Sequence, residues 1–112
     1  MQLTDWPTDL AYFFGAMFLI NAIPHFVAGV MGKPFQSPFA RPPGQGHSYA
    51  TVNVIWGSIN FAVAYGLLCR IGDFDIRNVE HVSAFALGGF LTGLLLARHF
   101  GRFNGGNAPV KG

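Results

Sequence analysis

Residues 10–31 read LAYFFGAMFLINAIPHFVAGVM, from Leu10 to Met31, 22 positions without a formal charge. A helix rises about 1.5 Å per residue, so this stretch reaches across a hydrocarbon core roughly 30 Å thick. Three of its residues are out of keeping with such a core: Asn21, Pro24 and His25. Asn21 and His25 are four apart and share one helical face, and Pro24 between them removes a backbone hydrogen bond and predicts a kink near Ile20.

Moving outward, the chain repeats the apolar pattern twice. Tyr49 to Cys69 gives 21 uncharged residues and Val82 to Ala97 gives 16. The third stretch spans if Arg98 snorkels and the helix continues through His99 and Phe100 toward Arg102. The expectation is an all-α membrane protein, a bundle of three transmembrane helices over 10–31, 49–69 and 82–100. An extended Pro-rich loop (32–48), a tight loop (70–81) and a flexible tail (103–112) complete one domain. Asp, Glu, Lys and Arg make up 11% of the 112 residues, against about 25% in soluble domains. That scarcity excludes a soluble globular domain, a disordered tail and a disulfide scaffold. No internal repeat is present, which excludes an inverted-repeat transporter within one chain.

The twelve charges set the orientation. Loop one and the tail hold Lys33, Arg41, Arg98, Arg102 and Lys111, whereas the N-terminal segment and loop two hold Arg70, Arg77 and all five acids. The basic residues place the C-terminus in the cytoplasm and the N-terminus outside, in the inner membrane if the source is bacterial. Residues 1–9 carry Asp5 and Asp9 but no Lys or Arg, the opposite of a signal-peptide leader, so the first span is expected to be permanent. Trp6 and Tyr12 are expected as anchors at the outer interface and Tyr49 at the inner one. Cys69, the one cysteine, is expected to pack as a small hydrophobe. Basic residues scattered over loops make no nucleic-acid surface.

Loop one contains four of the seven prolines, at 34, 38, 42 and 43. Proline fixes φ and keeps its predecessor out of the helical region, so an extended path with a turn at Pro43-Gly44 is expected. Phe35 and Phe39 suggest that the loop lies on the interface or caps the bundle.

Polar side chains within a span are costly and are functional candidates by default. In the second span Asn53 and Asn60 are seven apart, again on one face, with Gly57 between them. Asn21 and Asn60 lie near the midpoints of their spans, while His25 and Asn53 lie roughly 6 and 10 Å toward the loop-one side. Antiparallel helices then set Asn21 opposite Asn60 and His25 opposite Asn53, with Thr92 of the third span near the depth of His25. Gly89, Gly93, Ala97 and Gly101 form a small-residue ridge suited to close helix packing, and Ala84-Gly88 starts a second.

Three functions follow from these features. One is a non-enzymatic membrane protein acting through helix association, as a homo-oligomer or as an accessory subunit of a larger complex. A second is an oligomeric solute carrier or channel lined by Asn21, His25, Asn53 and Asn60. The third is a haem- or quinone-binding subunit. No triad, paired carboxylates, zinc motif or phosphate loop appears, so no catalysis, metal or resident cofactor is expected. For haem, His25 and His99 differ by about 7 Å in depth, a poor match for two ligands on one iron. A proline in the first of three spans resembles the half-size sugar transporters. Pro24-His25, however, stands where that family carries Pro-Gln, and loop one is longer, so no site residue is carried over.

Overall fold

The computed structural model describes residues 5–108. Three helices account for most of them: α1 (Trp6–Val30), α2 (Ala50–Tyr65) and α3 (Val79–Asn104). Strands β1 (Phe35–Gln36) and β2 (His47–Ser48) pair antiparallel within loop one. Each helix, with α2 taken through to Ile71, is long and apolar enough to cross a membrane.

Local chemistry accounts for the helix boundaries. Pro7 sits in the first turn of α1, where a missing N–H costs nothing, and Asp9 there complements the helix dipole. The helix continues unbroken through Pro24. For α3, the Asn78 side-chain oxygen accepts the N–H groups of Glu80 and His81 at 2.9 and 3.2 Å, so the helix starts ahead of the expected Val82. Gly105, at φ 82°, closes it in the left-handed conformation. The third span therefore runs to 26 residues, and the shortfall expected from its uncharged window disappears.

Beyond Tyr65, α2 winds as a wider π-helical turn over Gly66–Ile71. Leu67 and Leu68 of this turn lie against Gly15 of α1, where an added Cβ would come within 2.7 Å of Leu68. Cys69 is exposed on the same turn instead of packed, while its two preceding leucines face α1.

Helix α1 is the middle of the bundle: it packs on both α2 and α3, which scarcely touch each other. Close approach depends on glycines. A Cβ on Gly57 would lie 2.8 Å from the Phe26 nitrogen, and one on Gly29 would lie 2.7 Å from the Ala50 carbonyl. Gly88 lies directly against the Phe13 carbonyl. The ridge expected to pack α3 is used only in part. Gly89 meets Ile20 at ordinary contact distance, Gly101 faces Asn107 of its own chain, and nothing lies within 4 Å of a Cβ at Gly93. Ala97 is exposed.

Loop one departs from the extended path. It folds back as the short hairpin, with turns closed by Ala40 and Gly44 N–H groups donating to the Ser37 carbonyl at 3.2 and 2.8 Å. Gln36, Ser37 and Ala40 are buried as a result. Tyr12 is also placed otherwise than expected. It is buried, and its hydroxyl accepts the Asp73 N–H at 3.0 Å, pinning loop two to α1 between Phe74 and His81. Trp6 and Tyr49 are exposed. The described part of the tail is folded onto α3 through Asn107, whose side chain donates to the Arg98 carbonyl at 3.0 Å. Residues 1–4 and 109–112, Lys111 among them, lie outside the described residues.

Candidate functional site

The two pairs matched by helical rise are hydrogen-bonded. Asn21 Nδ2 donates to Asn60 Oδ1 at 3.0 Å, and Asn60 Nδ2 donates to the Trp56 carbonyl at 2.8 Å. One turn further toward loop one, His25 Nδ1 lies 2.9 Å from Asn53 Oδ1.

Asn53 ties three elements together. Its Nδ2 lies 3.2 Å from each of the Phe35, Ser48 and Tyr49 carbonyls. Those acceptors fix the amide orientation and turn Oδ1 toward the histidine. Oδ1 can only accept, so His25 Nδ1 carries a proton and donates; in the neutral ring Nε2 is then the lone-pair nitrogen. Among the described residues Nε2 has no hydrogen-bond partner. The ring lies edge-on to Phe35, Trp56 and Phe100, with centroids 5.6, 6.4 and 5.8 Å away. His25 and Asn53 thus hold loop one on the bundle as well as α1 on α2.

Helix α3 braces the same loop. The Gly44 carbonyl can only accept, so His99 Nε2 donates to it, at 2.7 Å. Asn104 Nδ2 donates to Gln36 Oε1 at 3.0 Å. Inside the hairpin the Ser37 and Ser48 hydroxyls bond to one another. His25 and His99 therefore have separate partners, and no group of three His, Cys, Asp or Glu among the described residues is arranged to hold a metal. His81 accepts the Asp75 N–H at 3.1 Å, and His47 is exposed.

Thr92 does not join the His25 layer. Because α3 runs on to Asn104, Thr92 falls at its midpoint and instead lines a cleft of about 290 Å³ with Asn21, Asn60 and Trp56, at mid-height of the bundle. The cleft opens where α2 and α3 stand apart over α1, past Phe18 and Leu95, and no charged side chain lines it. Trp56 Nε1 and Thr92 Oγ1 are both buried, with no hydrogen-bond partner among the described residues.

Trp56 is the residue that sequence reasoning passes over. It lies three residues after Asn53 and four before Asn60, on their face of α2, so the spacing contained the signal. In the sequence His99 suggests only a haem ligand. For Gln36 and Asn104 there is no cue, because their meeting depends on the course of loop one.

No known protein family, curated protein or solved structure matches the chain. The likeness to half-size sugar transporters therefore extends no further than a proline in the first of three spans. The class is set by the fold itself: a bundle of three apolar helices of membrane-spanning length.

Proposed function

We propose that this chain is a small, non-enzymatic integral membrane protein that works by lateral association. It joins copies of itself or serves as an accessory subunit of a larger inner-membrane complex, N-terminus outside and C-terminus in the cytoplasm. One observation carries the reading: the glycines divide into two sets. Gly29, Gly57 and Gly88 are spent on close contacts within the chain, whereas Gly93 faces open space beside exposed Ala97. In lipid, helices gain little from hydrophobicity and associate through small residues that let backbones approach. A strip of this kind with no partner in its own chain suits a helix from outside. The shallow groove beside it, between Pro24, Phe35, Phe100 and Gly101, widens that surface.

The carrier reading has less support. His25, Asn53 and Asn60 are buried and bonded within one chain, which leaves them poorly placed to line a path between subunits.

The test is Gly93→Leu, with assembly size read by native mass spectrometry from mild detergent. Nothing near residue 93 obstructs a larger side chain, so the monomer keeps its helical content. Association is expected to weaken at least tenfold. An unchanged assembly size overturns the reading.

A further inference from the structure

The cleft between α2 and α3 has a chemistry that lateral association does not use. Its polar groups are rich in donors. Trp56 Nε1–H has no acceptor, and the Thr92 hydroxyl neither donates nor accepts among the described residues. Asn21 Nδ2 has one described bond, to Asn60, and therefore a second hydrogen free. Thr92 is only 6% exposed, so water at the bundle surface does not serve it. A buried donor left without an acceptor in an apolar medium is strongly unfavourable. A ligand that supplies the acceptor recovers that cost.

The surroundings narrow the ligand further. With no charged residue in the walls, a carboxylate or an ammonium group would enter without a counter-charge. The remaining lining is apolar and opens sideways at Phe18 and Leu95, which are 36% and 65% exposed. The volume of about 290 Å³ takes a ring or a glyceride-sized head, and leaves a chain to run out between the helices.

We infer that the Asn21/Trp56/Asn60/Thr92 cleft is a binding site for an uncharged, lipid-soluble molecule whose polar end is a carbonyl oxygen. Trp56 N–H and Thr92 O–H are the donors offered to that oxygen, with the free Asn21 hydrogen as an alternative. Quinone head groups and the ester carbonyls of neutral glycerides share this chemistry.

The experiment uses the full chain with Trp6→Phe, which leaves Trp56 as the sole tryptophan, in lipid nanodiscs. Its fluorescence is titrated separately with decylubiquinone and with dioctanoylglycerol. Saturable quenching or a saturable spectral shift is expected with at least one probe, and Thr92→Val is expected to weaken that binding about tenfold, the loss of one strong hydrogen bond. Response to decylubiquinone alone assigns a quinone, response to dioctanoylglycerol alone assigns a glyceride, and response to both supports the shared carbonyl. Non-saturable partitioning of both probes overturns the site. So does binding that Thr92→Val leaves unchanged while its melting temperature matches the parent's.

Discussion

Asn53 and Asn60 are the same residue type on the same face of α2, yet they carry different structural weight. Asn60 makes one interhelical bond and one bond to its own helix. Asn53 serves His25 on one side and three backbone carbonyls of loop one and the α2 start on the other. Asn53→Ala is therefore expected to cost about 2–4 kcal/mol, since each buried group it orphans costs roughly 1–3. Asn60→Ala is expected to cost about 1 kcal/mol, near the usual value for a hydrogen bond between membrane helices. Unfolding titrations in mixed micelles measure both, and equal costs would deny Asn53 its central place. The pairing of these residues was legible in the sequence because helical rise converts residue number into depth. Trp56 and Thr92 were harder to place. An indole inside an apolar span carries no mark of a missing partner, and the depth of Thr92 depends on how far α3 runs past Ala97.

At the scale of elements, small residues are informative only once their neighbours are known. Gly88 and Gly89 are adjacent, but one touches the Phe13 carbonyl and the other only the Ile20 and Ala16 side chains. Adding a methyl group separates the two sets of glycines. Gly57→Ala and Gly88→Ala push against backbone, which has no rotamer to yield, and are each expected to destabilise the bundle by about 1–3 kcal/mol. Gly93→Ala is expected to leave the monomer unchanged or up to about 1 kcal/mol more stable through helix propensity. Thermal denaturation in detergent, followed by circular dichroism, distinguishes these outcomes. The sequence located all these glycines without saying which face α1 would occupy. It also gave no sign of the π-helical end of α2, where Leu67 and Leu68 lie against Gly15. In loop one, prolines pointed to an extended chain. The carbonyls of Phe35 and Ser48 instead find Asn53, and that bonding folds the loop inward.

Across the whole molecule the described charges divide by end. Lys33, Arg41, Arg98 and Arg102 lie at the loop-one end, while Arg70, Arg77 and the five acids lie at the other. A reporter fused to the C-terminus is expected to be active only in the cytoplasm, following the basic residues. Activity confined to the outside would reverse the proposed orientation. The three apolar helices were the most legible part of the molecule, because a stretch of twenty or so uncharged residues has few other solutions. Less legible was their arrangement. Which helix is central follows from glycine contacts spread over all three, and those contacts also leave open the cleft between α2 and α3.

The bonds that finish loop one have a consequence in time. Gly44 waits for His99, 55 residues later, and Gln36 waits for Asn104, 68 residues later. At about 5–20 residues per second, synthesis of those partners lags by roughly 3–14 seconds. The loop is made between the first two spans, yet it is completed only when the last turns of the third leave the ribosome. Until then the Gly44 carbonyl and the Gln36 amide are served by water, so arrival of the C-terminal turns is the event that seals this end of the bundle.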